Sequence, residues 1–256
     1  MNMITNNPRA LLESYISERR AVAQQLLDID ERWYQFEWAQ ESSKNEKDYS
    51  EKREELLASI TGFLAGYGVH YNNSFLTRQS THNASKGQSN SCFIPRFRIK
   101  PMALERFADG LSCNLLDDLR LDGRWKLLLL ANGNFLHPNS RARRAIQALF
   151  DSIIPRFPRG IITPTVITPG RVNNGVSKGH AVSMKDLEWS SFPLCVKREA
   201  EMKTYFTTSK THELDIGDGK IVLVRPEGVV SLIVELDDVI TTGHLAEFLE
   251  SVVRSG

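Results

Sequence analysis

A run of apolar residues near the middle of the chain constrains the fold most. Residues 125–130 read WKLLLL, with a single charged residue among the six. A strand with one face in water alternates polar and apolar side chains, whereas a strand covered on both faces is apolar almost throughout. The run therefore predicts a strand inside a sheet that carries a packed layer on each side, which favours an α/β architecture.

Segments on both sides of this run complete such a domain. Strands are predicted at residues 93–98 and 161–167, and residues 220–236 (KIVLVRPEGVVSLIVEL) predict two strands joined at the turn Pro226-Glu227-Gly228. One helix is predicted to begin at Asn139-Ser140 and another at Thr241 or Thr242, because these side chains can cap a first turn. The positions predicted to face the core are Ala142, Ala145, Ile146, Leu149 and Ile153 on the first helix, and Leu245, Phe248, Leu249 and Val252 on the second. The order strand, helix, strand, hairpin, helix is typical of a thioredoxin-like domain.

The first third of the chain has a different organisation. Asn7 and Pro8 are typical of the start of a helix, which we expect to end near Trp38, and a second helix is expected to end near Leu64. The apolar positions that recur at helical spacing on the first helix are Leu11, Tyr15, Val22, Leu26, Ile29 and Trp33. Residues 66–92 are rich in Gly, Asn, Ser and Thr. The sequence thus predicts a helical segment at 1–70, a flexible linker at 71–92 and a thioredoxin-like α/β domain at 93–256.

Charge and cysteine content exclude several classes of partner. The formal net charge is +1, which gives no reason to expect nucleic acid or an anionic membrane as a partner. No apolar run approaches the roughly 20 residues that span a bilayer. Three widely spaced cysteines do not predict a disulfide framework. We therefore expect a cytoplasmic protein without nucleic-acid or membrane partners.

Four segments, in the right order, resemble the C-terminal part of phenol 2-monooxygenase-type flavoproteins, the FAD-dependent aromatic hydroxylases. They are LLESYISERRAVAQQLLDID (11–30), GFLAGYGVHYNNSFL (62–76), RFADG (106–110) followed by DGRWKLLLLANG (122–133), and GKIVLVRPEGVV (219–230). Ala21 stands where that family usually has proline, and Glu227 where it usually has aspartate. The resemblance covers essentially the whole chain and implies a helical segment followed by the family's thioredoxin-like dimerisation domain.

The flavin-binding motifs of that family are not found in this sequence. The family holds the ADP half of FAD at a GxGxxG turn, where backbone amides bind the pyrophosphate, and no such turn occurs here. The motif that reaches the ribityl chain would lie just upstream of Met1. We therefore expect a chain that binds no FAD and does not oxygenate a substrate by itself. The CxxC of redox-active thioredoxins would fall within residues 131–140 (ANGNFLHPNS), which contain no cysteine.

Three residues are candidates for acid/base chemistry. His70 and Tyr71 lie beside two glycines and could donate and accept protons, since histidine titrates near neutrality. The alternative is an ordinary loop pair. Asp109, before Gly110, could serve as an acid if it is buried, and otherwise belongs to a solvated turn. We expect His70, Tyr71 and Asp109 to face a common cleft.

Other chemistry-bearing residues favour structural roles. Trp33, Tyr34, Phe36 and Trp38 could line a site for a flat ligand, but helix packing explains them better. Cys113 and Cys195 are expected to be small buried side chains rather than nucleophiles. None of the six histidines has the spacing of a metal site, so we expect neither metal nor cofactor.

Two functions follow as hypotheses. The first is a cofactor-independent enzyme that opens, rearranges or cyclises an oxygenated aromatic or alkaloid-like intermediate of a secondary-metabolite pathway. The second is a non-catalytic dimerisation or accessory module of a flavin monooxygenase. Both include a homodimer, predicted because the apolar strand at 229–236 and the terminal helix resemble the family's dimerising half.

Overall fold

Two long helices form the N-terminal part of the computed structural model, which describes residues 8–40, 46–78, 93–107, 109–119, 122–131, 139–168, 203–208, 219–237 and 243–253. Helix α1 spans Pro8–Gln40 and helix α2 spans Glu46–Leu64, as predicted except that Asn7 lies outside the described residues. Phe36 stacks on Tyr49 at a centroid distance of 5.4 Å, and the Arg53 guanidinium lies 5.9 Å from the ring centre of Trp33. These contacts show that α2 runs back along α1.

A seven-stranded sheet follows, in the order β2-β1-β5-β4-β3-β6-β7. The strands are β1 (Ala103–Arg106), β2 (Ser112–Asn114), β3 (Trp125–Leu130), β4 (Ile162–Thr168), β5 (Lys203–Thr207), β6 (Lys220–Val224) and β7 (Val230–Glu235). The helices of this part are α3 (Leu115–Asp118), α4 (Arg141–Ala148) and α5 (His244–Val252), and one wide turn, Leu149–Ile153, extends α4. Strand β3 is parallel to β4 and antiparallel to β6, which is antiparallel to β7. This arrangement is thioredoxin-like, with α4 between β3 and β4 and α5 after the β6–β7 hairpin.

Both faces of the sheet are covered, which confirms the interpretation of the WKLLLL run. Leu127 and Leu129 pack with α4 and α5 on one face. Leu128 and Leu130 pack on the other face, in a cluster with Ile99 and with residues of β1 and α3. Side chains of β3 alternate between the two faces of the sheet, and every one of them is buried because each face is covered by a packed layer. The predicted inward positions of α4 and α5 are also all buried.

The segment at 93–98 is not the strand that was predicted. Pro95 and Arg96 form a turn in which the Phe97 amide donates to the Ile94 carbonyl at 3.1 Å, and Arg96 has a left-handed φ of 72°. Isolated bridges pair Phe97 with His70 and Arg98 with Val229, and the Arg96 amide donates to the Val230 carbonyl at 2.8 Å. The turn ends any regular pairing, so the sheet begins later, at β1.

The start of the predicted linker packs against the sheet. The Tyr71 amide donates to the Arg96 carbonyl at 3.1 Å, and the Arg78 amide donates to the Ser231 carbonyl at 3.0 Å. Leu76 is 6% exposed, and its carbonyl accepts a hydrogen bond of 2.6 Å from the Ser231 hydroxyl. Residues 71–78 of the predicted linker are therefore tied to β7 and its neighbours. The rest of the predicted linker, residues 79–92, lies outside the described residues.

The cap of the last helix differs from the prediction. Gly243, with a φ of 70°, occupies the N-cap position of α5 and provides no side-chain hydrogen bond. Thr241 and Thr242 lie outside the described residues. Ser140 does cap α4 as predicted, because its hydroxyl accepts from the Arg143 amide at 3.1 Å.

Candidate functional site at the helix–sheet junction

A buried ion pair joins α1 to the β6–β7 hairpin. Both guanidinium Nη atoms of Arg225 donate to the Glu18 carboxylate, at 2.8 and 2.9 Å. Glu18 is 4% exposed and Arg225 is 6% exposed. A bidentate pair of this kind fixes orientation as well as distance. We call the contact of α1 with the hairpin the junction, formed by Glu18, Ser74, Arg225 and Glu227.

Neighbouring groups complete the charge balance of the junction. The Ser74 hydroxyl donates to Glu18 at 2.8 Å, and the Glu227 carboxylate accepts from Arg225. The Arg225 guanidinium also lies 5.9 Å from the ring centre of Tyr71. Burial alone would lower the pKa of Arg225, but the bonds and charges of Glu18 and Glu227 outweigh it and raise that pKa. Arg225 is therefore a permanent cation whose charge is matched inside the fold.

The hairpin turn places Arg225 and Glu227 on the same side. The Arg225 amide donates to the Val229 carbonyl at 2.8 Å, and the Gly228 amide donates to the Arg225 carbonyl at 2.9 Å. Gly228 has a φ of 88°, a conformation that side chains other than glycine rarely adopt. The RPEG sequence thus forms a tight turn with both charged side chains directed to the junction.

The sequence contained a partial signal for Glu18. It lies seven residues after Leu11 and four before Val22, so helical spacing places its carboxylate on the inward face of α1. A lone carboxylate on such a face needs a buried cation. Its partner is 207 residues away, and sequence spacing gives no means of choosing Arg225.

His70 and Tyr71 lie beside the junction and are partly buried. The His70 ring packs on Phe97, with ring centres 4.8 Å apart. Burial, together with the positive charge of Arg96, lowers the pKa of His70 below its ordinary value of 6.5. The imidazole is therefore neutral at pH 7, which is the state required of a general base.

Asp109 is placed apart from the other two candidates. It is exposed, and its carboxylate accepts from the Leu111 amide at 3.1 Å and lies 3.5 Å from Arg106. It belongs to the β1–β2 turn, whereas His70 is bridged to Phe97, whose carbonyl accepts from Val230 of β7. Strands β1 and β7 are five strand spacings apart in the sheet, or roughly 20 Å or more. The structure does not bring Asp109 into a common cleft with His70 and Tyr71.

A cavity of about 230 Å³ lies beside the hairpin turn, on the sheet face opposite α4 and α5. Its apolar wall consists of Ile99, Leu116, Leu119, Val224 and Pro226. Charged groups at its edge come from Arg98, Lys126, Arg225 and Glu227. Lys126 is 4% exposed and donates to the Asp122 carboxylate at 2.7 Å. None of the three sequence-predicted residues lines this cavity.

An apolar surface lies on α1 rather than on the strand and helix that were predicted to self-associate. Val230, Leu232 and Val234 of β7 are buried in the chain's own core. Seven large apolar side chains of α1 are instead between 48% and 66% exposed. They are Leu12, Tyr15, Ile16, Leu26, Leu27, Tyr34 and Trp38, and together they form the apolar stripe. At 100° per residue these positions fall on one side of the helix, next to the face that packs on the junction.

The aromatic cluster at the end of α1 is divided between two environments. Trp33 and Phe36 pack towards α2, whereas Tyr34 and Trp38 stack on each other in the apolar stripe, with ring centres 6.2 Å apart.

Within the described residues, no group of three or more His, Cys, Asp or Glu side chains is placed to hold a metal ion. Among the same residues, no helix has the length and apolar character needed to cross a membrane. Cys113 is half-buried and is not part of a disulfide, and Cys195 lies outside the described part of the chain.

The fold and the junction define a thioredoxin-like α/β domain with a helical segment fastened to its hairpin. The chain belongs to the family of phenol hydroxylase C-terminal dimerisation domains, whose sequence profile matches residues 69–256. Helices α1 and α2 lie before the matched region.

The chain is similar to flavin-dependent oxygenases. It is 36% identical over 255 residues to the flavin-dependent oxygenase ucdD of Aspergillus ustus, an alignment that covers 98% of this chain and 38% of that protein. It is 34% identical over 128 residues to 3-hydroxybenzoate 4-monooxygenase of Comamonas testosteroni, covering 49% of this chain and 19% of that protein. The crystal structure of the flavin-dependent monooxygenase PieE matches with a TM-score of 0.46 and 18% identity, over 94% of this chain and 40% of PieE. The chain thus spans less than two fifths of the length of the two sequence relatives.

Proposed function

We propose that this chain is an accessory module that associates with a flavin-dependent monooxygenase through the apolar stripe of α1. The observation that carries the proposal is a long helix held rigidly by the buried Glu18–Arg225 pair while it exposes seven large apolar side chains. Exposed apolar surface of this kind marks an interaction site.

The comparisons support a flavin-binding partner. Helix α1 lies outside the matched dimerisation domain, so dimerisation of residues 69–256 does not account for the apolar stripe. The relative ucdD aligns with α1 as well, and 62% of its length lies outside the aligned part. A flavin-binding region of such a protein is the occupant that we propose for the stripe.

The proposal is tested by co-purification of the tagged full chain with a full-length flavin-dependent monooxygenase of the relatives' class. The triple variant Leu12→Glu, Ile16→Glu, Leu27→Glu places three carboxylates in the stripe and is expected to weaken capture about 100-fold or more, as loss of a central apolar contact does. Retained flavin absorbance in the wild-type complex identifies the captured partner.

A matched control adds the same charge outside the stripe. Ser17→Glu, Gln24→Glu, Gln35→Glu changes three exposed positions of α1 away from the stripe, and is expected to bind like the wild type. Equal loss in both triple variants, or no capture by the wild type, contradicts the proposal.

The acid/base hypothesis rests on a different observation. The lowered pKa of His70 keeps its imidazole neutral, next to Tyr71 and the junction. This supports His70 as a base on a hydroxylated aromatic or alkaloid-like compound, with Tyr71 as the proton donor. The distance of Asp109 removes the third group from such a site, so we rank this function below the accessory module.

A further inference from the structure

We propose that the cavity beside the β6–β7 turn binds a small ring-shaped carboxylic acid, with Arg98 holding the carboxylate. The inference does not depend on the proposed function, because the cavity lies on the face of the sheet that packs with α3, whereas the apolar stripe lies on α1. It rests on the charge of Arg98 and on the size and lining of the cavity.

Arg98 is a cation without a carboxylate partner among the described residues. Its Nε and Nη2 atoms lie 3.4 and 3.2 Å from the backbone carbonyl of Glu227. Among the described residues, its side chain forms no ion pair. The other two cations of the cavity are matched, Lys126 by Asp122 and Arg225 by Glu18 and Glu227. A half-buried guanidinium beside an apolar wall favours an anion, and its fork geometry suits a carboxylate.

The apolar wall of the cavity determines the size and character of the uncharged part of the ligand. Five of the lining residues, Ile99, Leu116, Leu119, Val224 and Pro226, present aliphatic carbon. A dry apolar cavity of about 150 Å³ accommodates benzene. The volume of about 230 Å³ therefore holds one six-membered ring together with a carboxylate.

Benzoate is the probe that tests this combination. Isothermal titration of the full chain with benzoate should show saturable binding of one molecule per chain. Benzyl alcohol has the ring without the charge and acetate has the charge without the ring. Each is expected to bind about tenfold more weakly or worse, because a charge-assisted hydrogen bond and a buried ring each contribute that much.

Two arginines of the same segment form a matched pair of variants. Arg98→Met keeps much of the side-chain length but removes the charge, and is expected to weaken benzoate binding about tenfold or more. Arg96→Met removes a cation that does not line the cavity and should bind benzoate like the wild type.

A third variant is a control for the possibility that Arg98→Met misfolds the turn that Arg98 contacts. Leu116→Trp extends an indole ring into the cavity and leaves Arg98 in place, so it should also lose benzoate binding while near-UV circular dichroism shows a folded protein. The inference is overturned if the wild type does not bind benzoate, if benzyl alcohol binds as tightly, or if folded Leu116→Trp binds benzoate unchanged. Capture of a flavin monooxygenase should be unaffected by these variants, so failure of one proposal is distinguishable from failure of the other.

Discussion

His70 and Glu18 lie near the same junction. Glu18 accepts three hydrogen bonds in a buried site. His70 lies on Phe97 with Arg96 nearby, which favours its neutral form. The pH dependence of stability near neutrality should therefore come from His70.

The sign of that dependence follows from the lowered pKa. In the unfolded chain His70 titrates near 6.5 and takes up a proton more readily than in the folded protein. Its contribution to stability is complete above that value and is lost as the pH falls through the folded pKa. Urea unfolding at about pH 7.5 and about pH 5.5 should show a smaller loss of stability on acidification in His70→Gln than in the wild type. Parallel losses in the two proteins would show that His70 is not the group responsible.

Single residues were predictable from the sequence only where their role is local. Ser140 is predictable as a helix cap because a cap bonds an amide only three residues later, and its hydroxyl does accept from the Arg143 amide. Asp109 was placed correctly before a glycine turn, but its distance from His70 depends on the strand order. Likewise, the absence of a carboxylate partner for Arg98 among the described residues depends on which carboxylates the fold brings near it.

At the scale of elements, the buried Glu18–Arg225 pair contributes to the attachment of α1, beside the packing of Leu11 on the core. Removing a single partner of a buried pair leaves the other charge without compensation, which typically costs about 3 kcal/mol or more. Replacing both partners with apolar side chains of similar size removes that penalty. The two cases separate the role of the charges from the role of packing.

We expect Glu18→Leu to lower the free energy of unfolding by about 3 kcal/mol, because Arg225 keeps only the half-exposed Glu227 as its partner. The double variant Glu18→Leu, Arg225→Met should recover most of this loss. The measurement is urea unfolding of the wild type, both single variants and the double variant as a double-mutant cycle. Additive effects in the cycle would mean that the pair does not hold α1 in place.

Elements with a clear apolar periodicity or a characteristic turn sequence were predicted correctly. Strand β3, the β6–β7 hairpin and the inward faces of α4 and α5 follow from apolar periodicity and turn chemistry. The segment at 93–98 has a similar composition but carries Pro95, and a turn there replaces the expected strand. Short strands such as β1 and β2 lack enough residues to show a period, so only the folded sheet reveals them.

For the whole molecule, the location of apolar surface decides how copies associate. The strand at 229–236 lies at one edge of the sheet, and its apolar side chains are buried in the chain's own core. The sequence alone did not distinguish burial within one chain from burial at an interface between chains. The sequence predicts one amphipathic helix whose apolar residues recur at helical spacing, and two of those residues, Tyr15 and Leu26, are exposed in the apolar stripe. The half-buried residues Leu11, Val22 and Ile29 lie on a face of α1 next to the exposed stripe, and periodicity alone does not say which of the two faces meets the sheet.

Membership of a dimerisation-domain family predicts a homodimer that forms through residues 69–256. The purified full chain should therefore have twice its chain mass in light scattering over a wide range of concentrations. The stripe variant Leu12→Glu, Ile16→Glu, Leu27→Glu should remain a dimer, because its substitutions lie outside the matched domain. If this variant becomes a monomer while the control Ser17→Glu, Gln24→Glu, Gln35→Glu stays dimeric, the apolar stripe is itself the surface that joins two copies. A flavin monooxygenase would then have to bind elsewhere on the chain.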